Sequence, residues 1–493
     1  MSRSRLLLLA ILLIGVGCGI NAKPLGAYYG FTNNAMTIVS ELATNQVSAI
    51  DNQKMVVLSD PHVMAPELLV NEGTAWTTYL SGQRKMVDYS QLLFDDMIER
   101  IKRDLRPGLV LITGDLTKDG EKVSHEYVTS KLDELRAIGI QTLVVPGNHD
   151  RGSNSYAVYY DGENTSPAEV ATNEWFATQY ANYGYGVGSQ REGTTLTYAC
   201  EPITGLVVIG IDSGTDGNVS ETTLDWVVEK ATAARDGGKN VIAMMHHPLI
   251  PHFSGVDKFL STAVVENYET VRNTLADAGV RVVFTGHFHT SDIAKDWNAD
   301  QTREIYDVNT GSLISYPCDY REVTLSEDLS VLTITTGHST VIEAETAKER
   351  LQKNVQAQIA ARGTAYSIIA PTAAEAFVIH AEGNETENPN AATKLSSLIY
   401  AANLGKMFIG ADRAKELKDM ASSMLEDKSQ YGTEREDVTN DLTLTIELPK
   451  PTGIKATNAS VKKSTESYNL RGVKVSNPSK GIYISNGKKI VVF

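Results

Sequence analysis

Short polar motifs follow apolar runs along much of the chain: Asp60-Pro61-His62, Gly114-Asp115, Gly147-Asn148-His149-Asp150-Arg151, His246-His247-Pro248 and Gly286-His287-Phe288-His289. Carboxylates, an amide oxygen and imidazoles make up the mixed donor set that divalent first-row metals accept. Asp-x-His and His-x-His each place two donors on one short loop, so each can chelate. A carboxylate has two oxygens and can bridge two cations, which Asp115 could do. Two cations about 3.5–4 Å apart can clamp a phosphoryl oxygen and aim a hydroxide for in-line attack. Taken singly, each group has an ordinary reading. An Asp after a strand is usually a turn or cap residue, a His is usually packed or solvated, and His-Pro is usually a turn. Recurrence at successive strand ends carries the argument.

The elements that must position these groups are short and apolar. Residues 55–58, 109–113, 140–145, 240–245 and 280–284 predict buried strands, each ending at a motif. Pro146-Gly147 stops the third strand with a turn that brings Asn148, His149 and Asp150 together. Helical spacing predicts helices over 89–103, 125–137, 223–235 and 264–278, with further strands over 194–200, 206–211, 304–309, 321–325 and 331–335. Strands alternating with amphipathic helices predict an α/β sandwich with a mixed sheet. Polar groups then fall at C-terminal strand ends, where open α/β sheets carry their sites. Residues 63–88 read as a long polar insertion containing Trp76 and Tyr79, with Tyr89 just after it. These aromatics could line a substrate face or simply pack.

The chain has 493 residues, 42% hydrophobic and 21% charged, enough for several domains. Its net charge of −15 argues against a general nucleic-acid or anionic-membrane surface. A small anionic substrate stays compatible, because bound cations reverse the local sign. Basic residues followed by an apolar run read as a signal peptide over 1–22, so the protein is expected to be exported to the periplasm, outer membrane or surface of a bacterium. Gly15-Val16-Gly17-Cys18 resembles a bacterial lipobox, with Gly15 where Leu is usual; the alternative is plain cleavage near Ala22. Cys200 and Cys318 could pair in an exported compartment or be small buried residues. Residues 23–340 form the main expected domain, 341–440 a small helical domain with helices over 343–362, 372–381, 391–404 and 411–425, 441–465 a linker that includes an alternating stretch at 442–446, and 466–493 a β-rich tail.

With D-x-H, G-D, G-N-H-D, H-x-P and G-H-x-H in this order over residues 51–340, the sequence closely resembles the calcineurin-like metallophosphoesterases. The resemblance implies a four-layer fold with a binuclear metal site between β-sheets. Carried over, Asp60, His62, Asp115 and His289 hold one metal; Asp115, Asn148, His246 and His287 hold the other. Manganese, iron and zinc all suit this set. His149 then serves the leaving-group oxygen, with Asp150 orienting it. Arg151 could meet a phosphate oxygen or remain a surface arginine. His247 is expected to be supporting. The extra helical domain resembles larger, exported, cyclic-nucleotide-phosphodiesterase-like bacterial members, which makes a phosphodiester or nucleotide the expected substrate. A phosphomonoesterase and a non-catalytic surface binding protein are the alternatives. Thr310-Gly311-Ser312 and residues 316–321 are a candidate substrate-side loop. Tyr468 to Gly472 (YNLRG) and Gly481 to Lys489 (GIYISNGKK) resemble sorting tails of exported Bacteroidetes proteins.

Overall fold

The computed structural model describes residues 49–450 except 153, 254–262, 362, 384–390, 392–393, 395, 399–410 and 426–440, together with four short tail strands between 467 and 492. The expected signal segment with Cys18, and most of the expected linker, lie outside the described residues. No helix among the described residues is long and apolar enough to cross a membrane.

Two sheets face each other. One runs, edge to edge, Thr443–Glu447, Val331–His338, Asp319–Leu325, Asp51–Leu58, Pro107–Ile112 and Gln141–Val144. The last three are parallel and the others antiparallel, so this sheet is mixed. The other runs Asp292–Trp297, Glu304–Asn309, Val282–Thr285, Asn240–Met245, Leu206–Ile211, Tyr198–Ile203 and Ser189–Arg191, with a parallel centre and antiparallel edges.

Alternation along the strands explains the layering. In the second sheet Val208, Ile242, Met244, Val282 and Phe284 join Met55, Val57, Leu109 and Leu111 in one core between the sheets. Val207, Ile209, Val241, Ala243 and Met245 turn the other way, where Leu224, Val227 and Ala231 of helix Glu221–Asp236 and Val271 and Leu275 of helix Tyr268–Asp277 cover them. Helices Ser90–Arg100 and Lys122–Ala137 cover the first sheet with Leu93, Phe94, Met97, Val128 and Leu132. The result is the four-layer α/β sandwich expected.

Two segments depart from expectation. The polar insertion at 63–88 holds a 3-10 turn at Pro66–Leu68, a strand at Leu69–Asn71 and helix Thr74–Ser81. Trp76 and Tyr79 are buried and stack at 5.6 Å, so they pack rather than line a cleft. The alternating stretch assigned to the linker is strand Thr443–Glu447, which adds to the first sheet beside Val331–His338; 441–447 therefore belongs to the sandwich. Helices Ala344–Ala360 and Thr364–Glu382 pack through Leu351, Val355, Ala374, Val378 and Ala381. Cys200 and Cys318 are free thiols.

Candidate metal centre

The parallel registers Leu58↔Ile112 and Ile112↔Val144 bring three strand ends side by side. Beyond them the loops are tied by Asp60 N donating to Gly114 O (3.1 Å) and His62 N to Asp115 O (2.9 Å). In the second sheet Gly286 N donates to His246 O at 2.9 Å. The sheets are joined at this point by His246 Nδ1 on Thr113 O (2.9 Å) and by Thr113 Oγ1 on Thr285 O (3.2 Å). Motifs far apart in sequence thus share one floor.

Asp60 (φ 49°), His62 (38°), Asp115 (49°), His287 (71°) and His289 (61°) all adopt left-handed backbone. Such a conformation costs an L residue about 1–2 kcal/mol. Strain of this kind collects where a function over-determines the backbone.

Asp60, His62 and His289 form one converging group and Asp115, His246 and His287 another, and a third set, His62, Asp115 and His149, overlaps both. Asp60 spends Oδ2 on Ser59 Oγ (2.5 Å) and His287 N (2.9 Å). Its Oδ1 is buried without a hydrogen-bond partner, 3.2 Å from His289 Nε2 and 3.6 Å from His62 Nε2. Asp115 repeats the division: Oδ1 accepts from His149 N at 2.8 Å, and Oδ2 stands 3.5 Å from His62 Nε2 and 3.4 Å from His246 Nε2. One oxygen of each carboxylate is fixed by the fold and the other is turned into the site.

The imidazoles face one another in the same way. His62 Nε2 and His289 Nε2 are 3.3 Å apart; His246 Nε2 and His287 Nδ1 are 3.1 Å apart, with Asn148 Oδ1 at 3.0 and 2.9 Å from them. Because Thr113 O can only accept, His246 Nδ1 carries the hydrogen and Nε2 presents its lone pair inward. Burial, then the Lys85 ammonium, takes His62 down to about 3; burial, then His246, takes His287 to about 3. Both imidazoles are neutral at ordinary pH, the form in which a ring nitrogen can ligate a cation. Burial also opposes protonation of His246, but Asp115 outweighs it and pushes the group up to about 9. This site therefore calls for positive charge, as a proton or as a cation. The unpartnered Asp60 oxygen and the facing nitrogens fit metal ions, with the inward Asp115 oxygen close to His62 of one group and His246 of the other.

His149 lies on the cleft side of this floor, but Asp150 does not orient it. His149 Nδ1 is 2.9 Å from Asp119 Oδ1 and 3.0 Å from Lys118 O. Burial alone would raise the Asp119 pKa; the hydrogen bond from His149 and the Lys118 ammonium outweigh it and hold the carboxyl low. Asp150 turns the other way, accepting from Leu116 N (3.1 Å), Thr117 N (2.9 Å), Thr117 Oγ1 (3.0 Å) and Gly147 N (2.8 Å). It knits the second motif loop to the third. Arg151 is likewise neither a surface residue nor free for phosphate: it is buried, with both terminal nitrogens on Asp212 at 2.9 and 2.5 Å. His247 is a buried support, with Nδ1 2.8 Å from Ser213 Oγ.

The expected substrate-side loop also serves from behind. Ser312 Oγ donates to Asp60 O (2.8 Å), Ser315 Oγ lies 3.3 Å from His289 Nδ1, and buried Arg321 holds Asn309 O at 2.7 Å. The cleft above the metal groups, about 450 Å³, is lined instead by Arg84 and Lys85 from the insertion, by Phe253 and Phe288, and by Phe377 and His380 of the helical segment. None of these was singled out from sequence. Arg84-Lys85 lies in a stretch without periodicity, and a charged pair there looks solvated.

Residues 54–291 match the family model described as calcineurin-like phosphoesterase. A probable glycerophosphodiester phosphodiesterase from Arcobacter nitrofigilis is 26% identical over 225 residues, covering 43% of this chain and 69% of that protein. A cAMP/cGMP dual specificity phosphodiesterase from Mycobacterium tuberculosis is 25% identical over 226 residues, covering 44% of this chain and 60% of its own length. A solved dimetal phosphatase from Danio rerio aligns with a TM-score of 0.41 and 16% identity, over 58% of this chain and 97% of that one.

Proposed function

Residues 54–291 belong to the calcineurin-like phosphoesterases, and on that premise we propose that the protein hydrolyses a small phosphodiester or nucleotide. The observation that carries this reading is the placement of Asp115, whose inward oxygen lies between His62 and His246 and so joins the two donor groups. Asp60, His62, Asp115 and His289 would hold one cation; Asp115, Asn148, His246 and His287 would hold the other. When bound, two such ions, whether manganese, iron or zinc, lower the pKa of a water and neutralise charge on the phosphoryl oxygens.

The remaining chemistry belongs to His149. Asp119 and Lys118 O both accept at Nδ1 and fix the ring, so Nε2 is the nitrogen left to face the cleft. There it donates a proton to the departing ester oxygen. The diester preference is supported by the matched relatives, which are named as phosphodiesterases. The basic and apolar start of the chain supports export of this activity in a bacterium.

The test is a rate comparison on an aryl monoester, an aryl diester and a cyclic nucleotide, with metal content measured on the same manganese-loaded sample. Diester turnover with two metals per chain, abolished in a folded Asp115→Asn variant, is the expected result. A faster monoester rate would replace the diester reading with a phosphomonoesterase. No turnover of any of these substrates at full metal content would make this a binding protein.

A further inference from the structure

Lys85 is a buried lysine, 7% exposed, on the wall of the cleft. Its Nζ stands 3.3 Å from His62 Nδ1 and 3.4 Å from His62 Nε2. Among the described residues no carboxylate oxygen lies within 4.0 Å of it. The chain pairs another buried lysine fully: Lys118 Nζ is 2.6 Å from Asp119 and 2.9 Å from Glu121. A buried ammonium without a carboxylate partner is costly, and one held against a metal-binding His is repelled again whenever cations are bound there. Asp115, Asp119 and Asp60 offset part of this cost from beyond contact distance, and something must keep the side chain in place.

The brace is visible. Residues 82–88 are pinned on one side by Met86 N donating to Ile314 O at 2.8 Å. On the other side helix Ala344–Ala360 grips the same segment: Asn354 Nδ2 donates to Gln83 O, Gln358 Nε2 to Gly82 O (2.7 Å), and Arg350 pairs with Asp88 at 2.8 Å. The helical segment thus fixes the backbone that carries Arg84 and Lys85 into the cleft.

We propose that Lys85 grips a phosphoryl oxygen of the substrate, and that helix Ala344–Ala360 is the brace that holds it to this task. The proposal rests on the phosphoesterase reading for its ligand, and deepens it by adding a residue outside the recognised motifs. Lysine suits the place as a compact point charge that needs one oxygen rather than a planar pair. The anion bound is a substrate phosphoryl group or product orthophosphate.

The experiment uses the manganese-loaded full chain. Orthophosphate binding is measured by calorimetry, KM and kcat on an aryl diester, and metal content on the same samples. Lys85→Met should weaken orthophosphate binding and raise KM by about 10- to 100-fold, the range for a hydrogen bond to a charged group, with both metals retained. Lys85→Arg, which keeps the charge but not the compact shape, should recover part of the loss. The Asn354→Ala/Gln358→Ala double variant should raise KM with kcat little changed, which keeps the proposal testable if Lys85→Met does not fold. Unchanged orthophosphate affinity in Lys85→Met, or a loss that follows loss of metal, would overturn it. If the wild type binds orthophosphate through Lys85 yet turns over no phosphoester, the anion site stands and the hydrolase reading fails.

Discussion

His149 Nδ1 lies 2.9 Å from Asp119 Oδ1, while Asp150, its chain neighbour, spends its carboxylate on backbone amides of two motif loops. The two aspartates therefore have separable roles. Asp119→Asn should lower kcat about 10- to 100-fold, as loss of an orienting partner does, and change the pH profile of kcat with metal content retained; it should also lower stability, because Lys118 Nζ, 2.6 Å away, loses one of its two buried carboxylates. Asp150→Ala should lose about 3–5 kcal/mol of stability, because buried donors lose a charged acceptor. The pH profile of kcat separates them; a pH-profile change confined to Asp150→Ala would reverse the assignment.

Arg151 gives a second contrast. Its guanidinium is held by Asp212, whose carboxylate also accepts from Leu196 N and Gly214 N. Arg151→Ala strands a buried carboxylate, at a cost of about 3–5 kcal/mol. KM for a phosphoester should not move. A stable variant with a raised KM would show that the arginine reaches substrate after all.

These contrasts mark where the sequence was readable. The donor groups were legible because each sits on a short loop directly after an apolar strand, so residue type and local spacing were enough. The four-layer sandwich followed from the same strands alternating with amphipathic helices. Asp119 was not legible: four residues beyond Asp115 on an irregular turn, it reaches His149 only through the path of the loop. Asp150 drew the orienting role by adjacency in sequence, yet consecutive residues on a tight turn point in different directions. Thr443–Glu447 showed its strand alternation, but not that its partner is Val331–His338. Lys85 had no pattern at all, since its position depends on a helix more than 250 residues away.

Beside the cleft, His252 sits between two carboxylates, with Nδ1 2.9 Å from Asp292 Oδ1 and Nε2 3.1 Å from Asp307 Oδ2. His380 Nδ1 lies 3.9 Å from the other oxygen of Asp292. Burial works against protonating His252, but Asp292 and Asp307 outweigh it and push the group from 6.5 up to about 10. The folded value is raised, so this stabilisation is complete below about pH 6.5 and is lost as pH rises through about 10. Unfolding free energy should therefore fall across that window. His252→Gln should start about 3–5 kcal/mol lower and lose that part of the slope. Parallel pH–stability curves for the two proteins would sink the idea.

Gly147 separates metal assembly from the rest of the fold. A Cβ on it would fall 2.1 Å from Asp115 Oδ1 and 2.4 Å from Asp115 N, far inside contact distance. The oxygen displaced is the one fixed by His149 N, and its loss would free the carboxylate that turns its other oxygen into both donor groups. Gly147→Ala should thus lose metal from both positions together. Gly286→Ala, whose Cβ would fall 1.9 Å from Ser59 Oγ and 2.6 Å from Asp60 Oδ2, should act on the Asp60 side first. Elemental analysis after dialysis tests this. Gly147→Ala is expected to retain under about half of the wild-type metal, and Gly286→Ala to retain more, since Asp60 faces only one donor group while Asp115 joins both. Equal and full occupancy in both variants would mean that Asp115 does not join the two groups.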